Sequence, residues 1–269
     1  MEQKFFIALM SSFLFLVTGA PLIQAYEVAE VQHGGTIQGQ VTFTGSPPLP
    51  VRFTVEKNPD VCGQERSLLK VETHNGFLAG VVIVLEGIQT GKPFPAQGFS
   101  GMVPGEGEFR YQGGKALGLQ VKTKGCNFGP FTGVVAADEP VKFANQDTIK
   151  HTLHTFAALD HKGTILRTVH NQDIHPQDAV DRSFDSNKLR GSEVVRLTCN
   201  RHDFMQNWLY VVDHPYFALS DRKGGFALEQ VPPGTYTLLA WHPILGEQRQ
   251  DVQVLPDGQL SLGFHFGAE

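Results

Sequence analysis

The feature that most constrains the fold is an alternation of apolar and polar residues with a period of two, which recurs along the chain. In "GTIQGQVTF" the side chains of Ile37, Val41 and Phe43 fall on one face of an extended strand. "HTLHTF", "SEVVRLTC" and "NWLYVV" are further strand-like stretches. We find no long stretch with the period of an amphipathic helix. The sequence therefore predicts an all-β protein.

Length and charge narrow the class further. The 269 residues are enough for one large or two ordinary domains, and 41% apolar residues suit a packed protein. The formal net charge is -5 and no basic cluster is present, so nucleic acid is not an expected partner.

The first 25 residues have the pattern of a secretory signal peptide. Lys4 precedes an apolar run that extends from Phe5 to about Ala20, and "LIQA" offers Ala25 as the cleavage point. The alternative is an uncleaved anchor, because the stretch from Phe5 to Ile23 is just long enough to span a bilayer. We expect residues 1–25 to be removed and the mature protein to be periplasmic or otherwise exported, and soluble.

Several other segments carry specific expectations. "FLAGVVIVLEG" (77–87) is a continuous apolar run, typical of a strand buried on both faces. The Gly/Pro-rich stretch 91–115 predicts a long loop, and the polar stretch 157–185 predicts a surface excursion. "GGFALEQVPPGTYTLLAW" predicts a hairpin that turns at "PPG".

The chain has three cysteines, Cys62, Cys126 and Cys199. In an oxidising compartment thiols tend to pair, and an odd number leaves one over. Cys199 has a histidine and a methionine beside it and is the natural one to stay free. Cys62 and Cys126 are then a candidate disulfide, with two buried free thiols as the alternative.

The stretch "TCNRHDFM" places Cys199, His202 and Met205 at Cys-x-x-His-x-x-Met spacing. A structural zinc site usually has two or more cysteines, and a binuclear copper centre would need a second cysteine in this loop. One thiolate, two imidazoles and a weak axial thioether are the donors of a blue-copper site. Such a site needs one more histidine from a distant strand.

The alternation in "VKFANQDTIKHTLHTF" indicates which histidine this is. His151 shares the parity of the apolar positions, whereas His154 shares that of the polar ones. In the later strand Val195, Leu197 and Cys199 fall on one face, which predicts that Cys199 also points inward. We therefore predict that His151 meets Cys199 in the core and that His154 faces solvent.

These motifs resemble the cupredoxins, and amicyanin-like members in particular. "CNRHDFMQNWLYV" is similar to their short ligand loop and the strand that follows it, and "VKFANQDTIKHTLHTF" is similar to their upstream ligand element. The resemblance implies a Greek-key cupredoxin domain over residues 111–213 that holds one type 1 copper ion. Its implied ligands are His151, Cys199, His202 and Met205. It also implies that His202 lies at the surface end of the site, where electrons leave.

Two departures from the cupredoxin pattern affect specific properties. The family usually has Asn after its first ligand, where it ties the two ligand loops together, and this chain has Thr152. Arg201 and Asp203 flank His202, where amicyanin has prolines in an apolar docking patch. The first departure concerns the rigidity of the ligand loops, and the second concerns the identity of a partner.

The two ends of the chain resemble a second family. "GTIQGQVTFTGSPPLP" and "SDRKGGFALEQVPPGTYTLLAW" are similar to the opening and the end of a carboxypeptidase regulatory-like, transthyretin-type β-sandwich. Neither piece supplies the roughly seven strands of a sandwich. We therefore expect residues 26–110 and 214–269 to form one sandwich, with the cupredoxin domain inserted in it or adjacent to it.

Together these observations predict an exported type 1 copper protein that transfers single electrons to or from a redox protein. No open coordination position and no carboxylate is expected beside the metal, so we do not expect an enzyme. One alternative is copper handling without electron transfer, with His161, His170 and His175 as auxiliary ligands. Another is a structural module with no redox role.

Overall fold

A computed structural model describes residues 25–94, 107–112, 115–129, 131–160 and 163–267, with only the backbone described for 107–112 and 115–122. Apart from Ala25, the predicted signal peptide lies outside these ranges. Within them, no helix has the length and apolar character needed to cross a bilayer.

The all-β prediction is confirmed, since these residues form twenty-two strands and two single-turn helices. The strands before the middle of the chain are β1 (Glu27–Val28), β2 (Gly35–Thr44), β3 (Val51–Thr54), β4 (Glu65–Leu68), β5 (Thr73–His74), β6 (Phe77–Leu78), β7 (Val82–Glu86) and β8 (Thr90–Gly91). Helix α1 (Pro59–Cys62) lies between β3 and β4.

The middle of the chain forms nine strands and the second helix. They are β9 (Gly107–Gln112), β10 (Lys115–Thr123), β11 (Thr132–Ala136), β12 (Val141–Asn145), β13 (His151–Ala158), β14 (Leu166–Ile174), β15 (Ala179–Arg182), α2 (Ser186–Leu189), β16 (Val194–Cys199) and β17 (His202–Val212). The last five strands are β18 (Phe217–Leu219), β19 (Gly225–Val231), β20 (Gly234–His242), β21 (Gly246–Val254) and β22 (Gln259–Gly267).

Strands from both ends of the chain pair with one another in two sheets, which we call the flanking sandwich. One sheet has the order β18-β7-β20-β21, and in the other β2 pairs with β19, β22 and β6. The apolar faces of the two sheets meet in a shared core, which includes Ile37, Val41, Ile83, Leu238 and Phe264. Strands from the early and the late part of the sequence are therefore paired in the same sheets.

The predicted hairpin between β19 and β20 is wrong. β19 pairs with β2, whereas β20 pairs with β7 and β21, so the chain crosses from one sheet to the other at Pro232 and Pro233. Neither proline has the backbone N–H that a tight hairpin ladder would use. The predicted facing is nevertheless correct, because Phe226 and Leu238 lie in the same core.

The middle of the chain forms a second pair of sheets, the middle sandwich. Their orders are β15-β12-β10-β9 and β11-β17-β16-β13-β14. Phe143, Leu153, Leu197 and Leu209 are buried in one cluster between them. This arrangement brings the start of β13 and the connection from β16 to β17 to the same end of the sandwich.

The predicted surface excursion and the predicted long loop both contain strands. The polar stretch 157–185 includes β14 and β15, which form the edges of the two sheets of the middle sandwich. An edge strand is paired on one side only and keeps many side chains in water, so a polar sequence suits it. The Gly/Pro-rich stretch 91–115 contains β9, whose backbone pairs with β10, and residues 95–106 of it lie outside the described ranges.

Strand β7 is buried on both faces, as its continuous apolar run predicts. Ile83 and Leu85 point into the core of the flanking sandwich, whereas Val82 and Val84 join the cluster of the middle sandwich. The two sandwiches therefore share a continuous apolar contact through this strand.

Candidate metal site

Three of the predicted ligands converge at one end of the middle sandwich. His151 begins β13, Cys199 ends β16 and His202 begins β17, where Cys199 and His202 are cross-strand partners. All three are buried, and their candidate ligand atoms lie within 4.8 Å of one another. Cys199 and His202, the cross-strand pair at the end of the β16–β17 hairpin, thus lie close to His151, the first residue of the neighbouring strand β13.

The ring atoms that face the sulfur are the same in both histidines. Cys199 Sγ lies 3.9 Å from Nδ1 of His151 and 3.7 Å from Nδ1 of His202. Met205, three residues after His202, is fully buried in the same cluster as Cys199. The two Nδ1 atoms and the sulfur therefore define a compact set of donors with a thioether in the surrounding core.

The outer nitrogen of His151 is held by a carboxylate that sequence reasoning missed. Nε2 of His151 lies 2.9 Å from Oδ2 of Asp147, which is itself buried. The same carboxylate accepts hydrogen bonds from the backbone N–H groups of Gly125, at 2.6 Å, and Cys126, at 2.9 Å. Burial lowers the pKa of His151, and the hydrogen bond to Asp147 acts in the opposite direction. Asp147 thus contacts the ring nitrogen of His151 that faces away from Cys199.

Asn145 fixes the loop that leads to His151. Its Nδ2 donates to the carbonyl of Ile149 at 2.7 Å and to that of Ile174 at 3.1 Å. Its Oδ1 accepts from the hydroxyl of Thr123 at 2.9 Å and from the N–H of Asp147 at 3.0 Å. Since the side chain is buried, these bonds replace the water that it would otherwise bind.

Thr152 connects the two ligand loops in a different way from the expected side-chain tie. Its backbone N–H donates to Cys199 Sγ at 3.3 Å. Its hydroxyl donates to Asp173 at 2.8 Å, and Asp173 also contacts Lys150 at 2.8 Å and Arg201 at 3.6 Å. The backbone bond reaches the ligand sulfur directly, and the Asp173 carboxylate bridges to the loop that carries His202.

The expectation that His202 lies at the surface end of the site is wrong. Its side chain is only 2% exposed, because α1 covers it. Nε2 of His202 lies 3.3 Å from Oδ1 of Asn58 and 3.7 Å from Sγ of Cys62. Burial, and then the charges of His151, Arg201 and Lys57, lower the pKa of His202 to about 4, and a hydrogen bond to the backbone of Lys57 acts in the opposite direction.

Of the other predicted histidines, those that the structure describes do not belong to this cluster. His154 is partly exposed, and its ring nitrogens contact Asn200 at 2.7 Å and Thr168 at 3.1 Å. His170 contacts the hydroxyl of Thr155, and His175 is exposed. In the part of the chain that the structure describes, neither His170 nor His175 belongs to a group able to hold a metal. His161 lies outside that part.

Cys62 and Cys126 form a disulfide, with an Sγ–Sγ distance of 2.07 Å, and Cys199 is free and buried. Cys126 also lies near Asp147 and His151, but its sulfur is already bonded and is not available to a metal. The free thiol is therefore the one that faces both histidines.

Comparisons with known proteins give slight similarities. No protein-family model matches the chain, and no curated protein matches it. A reduced mutant of amicyanin is 16% identical with a TM-score of 0.28, over 36% of this chain and 83% of that one. The Cu(I) form of another amicyanin mutant is 13% identical with a TM-score of 0.28, over 48% and 98%. A purple cupredoxin from Nitrosopumilus maritimus is 15% identical with a TM-score of 0.28, over 35% and 98%. Scores this low carry no argument about function.

Proposed function

We propose that this chain is an exported type 1 copper protein that transfers single electrons, with His151, Cys199, His202 and Met205 as its ligands. The observation that carries the proposal is the convergence of two imidazoles and one free thiol, all buried, with one ligand atom of each within 4.8 Å of the others and both Nδ1 atoms facing the sulfur. A lone buried histidine would usually be a satisfied core residue. Two histidines with a cysteine between them support a metal site.

The surroundings of these donors fit a copper ion. The outer nitrogens of both histidines already have partners, Asp147 and Asn58, so the Nδ1 lone pairs are left for a metal. Cys199 accepts an N–H from Thr152, a contact of the kind that tunes the potential of a thiolate site. A soft thiolate and thioether suit Cu(I), and imidazole suits Cu(II).

The chain contributes a site that resists rearrangement. Copper, when bound, would supply one-electron chemistry between its two oxidation states. The residues around it hold the donors in place: Asn145 fixes the loop before His151, and the bond from Thr152 joins that loop to Cys199. Fixed donors limit the structural change that accompanies a change of charge, which favours fast electron transfer.

We further propose that the protein is not an enzyme and that its partner is a redox protein outside the cytoplasm. The Asp147 carboxylate is occupied by three donors, so it is not free to act as a base. Asn58 and Cys62 contact Nε2 at the outer edge of His202, so this nitrogen is not open to a substrate. Export rests on the signal-peptide pattern of residues 1–25.

Voltammetry with metal analysis distinguishes an electron carrier from a copper-handling protein. A carrier must keep its metal in both oxidation states, so we expect a reversible one-electron wave and an unchanged copper content after repeated cycling. His154→Ala is the matched control, because this histidine lies outside the cluster. Progressive loss of copper to a mild chelator without a reversible wave would favour copper handling instead.

A further inference from the structure

Residues 51–68 reach the candidate site from the N-terminal part of the chain and form a cover over it. The cover consists of β3, α1 and β4, and β3 pairs with β4 around the helix. Two of its side chains, Asn58 and Cys62, contact Nε2 of His202, from which they are separated by 144 and 140 positions. A segment distant in sequence thus provides the surroundings of a ligand.

Several contacts hold the cover in place. Phe53 lies 6.2 Å and the guanidinium of Arg66 5.6 Å from the ring centre of Phe204, whose ring is 5.5 Å from that of His202. Val55 is buried in the cluster of the middle sandwich. The disulfide between Cys62 and Cys126 adds a covalent link, so the cover is a fixed part of the site.

The side chain of Asn58 contacts His202 and does not cap helix α1, which it precedes. An asparagine in the N-cap position of a helix usually accepts an N–H from the first turn. Asn58 occupies that position in a left-handed conformation, with φ of 56°, and makes no side-chain cap bond. Its Oδ1 lies 3.3 Å from Nε2 of His202 instead, so the contact with the imidazole takes the place of the usual cap.

We infer that Asn58 is a positioning residue for the metal site, a role that rests on the proposed function. A neutral imidazole has one N–H and one lone pair, and which nitrogen has the proton depends on the partner of the other. The Oδ1 atom of Asn58 can only accept, so it favours the proton on Nε2 of His202, whose ring also has a hydrogen bond to the backbone of Lys57. The lone pair is then on Nδ1, which faces Cys199 at 3.7 Å.

Copper affinity of an Asn58→Ala variant tests the inference. Removing a residue that orients a metal-bound histidine typically weakens metal binding by about 10–100-fold. We expect a loss of that size in Cu(II) affinity, and we expect Asn58→Asp, which keeps an accepting oxygen, to restore most of it. Glu56→Ala, an exposed change two residues earlier in the same segment, should leave the affinity unchanged.

Nitrogen-15 NMR of the metal-free protein provides a readout that is independent of copper. We expect the neutral His202 ring to have its proton on Nε2 in the wild type and in Asn58→Asp. In Asn58→Ala the fraction of this tautomer should fall, while the backbone of Lys57 remains in contact with the ring. An unchanged tautomer and affinity in Asn58→Ala would overturn the inference. So would a loss of stability in Asn58→Ala that Asn58→Asp repairs without restoring metal affinity, because this would mean a purely structural role.

The NMR experiment also separates this inference from the proposed function. If the wild type gives no type 1 copper spectrum but Asn58→Ala still changes the His202 tautomer and weakens Co(II) binding, the proposed function fails and the role of Asn58 stands. If the wild type gives a normal type 1 spectrum and Asn58→Ala changes neither the tautomer nor the affinity, the proposed function stands and the inferred role of Asn58 fails.

Discussion

Replacing Asp147 by asparagine should weaken metal binding and destabilise the protein, because this carboxylate accepts three hydrogen bonds in a buried position. Oδ2 serves Cys126 and His151, and Oδ1 serves Gly125. An asparagine side chain has one accepting oxygen and one NH₂ group. If the amide oxygen takes the place of Oδ2, the NH₂ group faces the N–H of Gly125, which then has no acceptor.

The magnitude follows from these contacts. A fully buried N–H that loses its acceptor costs about 1–3 kcal/mol, and the lower end applies to Gly125, because this residue is exposed and water can reach its N–H. The two remaining bonds change from charge-assisted to neutral, and neutral bonds are roughly half as strong. We therefore expect the free energy of unfolding of the metal-free protein to fall by about 2–3 kcal/mol. Cu(II) affinity should fall by up to about 10–100-fold, because the bond that orients His151 changes from charge-assisted to neutral.

Urea unfolding of the metal-free protein and competition titration with Cu(II) measure the two effects separately. Asp203→Asn is the matched control, since it makes the same change of charge at an exposed position of the ligand loop. If Asp147→Asn changes the unfolding free energy by less than about 0.5 kcal/mol, as an ordinary surface substitution does, our account of this carboxylate is wrong.

Three further predictions concern other residues. His151→Ala should abolish the thiolate-to-copper absorption and His154→Ala should keep it, and the reverse result would overturn the assignment by strand parity. Met205→Gln should shift the reduction potential measured by voltammetry, whereas an unchanged potential would exclude Met205 as the axial ligand. Burial lowers the pKa of His242 to about 3, so the unfolded chain, with a histidine pKa of about 6.5, binds its proton first as the pH falls. The free energy of unfolding should therefore decrease by about 1 kcal/mol per pH unit below pH ~6.5 through this residue. Urea titrations at several pH values should show that the unfolding free energy of His242→Asn depends less steeply on pH than that of the wild type.

Strand alternation was enough to predict much of the fold and the inward face of the site. It identified the buried positions of β2, and it distinguished His151, which is fully buried, from His154, which is partly exposed. Alternation works for a strand such as β2, which has one face against a core and the other towards water, because the spacing of its apolar residues then follows burial.

The pairing of β19 and β20 could not be obtained in the same way. The short "VPPG" connection is compatible with a hairpin or with a crossing between sheets, and the apolar faces of both strands point to the same core in either case. The long partner strands determine the pairing. β19 pairs with β2, which lies far earlier in the sequence, and β20 pairs with β21, which follows it. Local turn chemistry contains no information about such partners.

The surroundings of the ligands were missed for a related reason. Asn58 reaches His202 across 144 positions, and no pattern within either segment indicates the contact. Burial of His202 follows from this cover, so a resemblance based on the ligand loop alone led to the wrong expectation of an exposed edge. Asp147 was a different case, since it stands four residues before His151, and its position after a strand end was the available signal.

The visible absorption and EPR spectra of the purified protein with one equivalent of Cu(II) test the central claim most directly. A thiolate, two imidazoles and a distant thioether predict an intense thiolate-to-copper charge-transfer band and the narrow copper hyperfine splitting of a type 1 site. Both signals should disappear in Cys199→Ser, which keeps the shape of the side chain but removes the sulfur. Weak absorption with the wide hyperfine splitting of ordinary tetragonal Cu(II), unchanged in Cys199→Ser, would contradict the account.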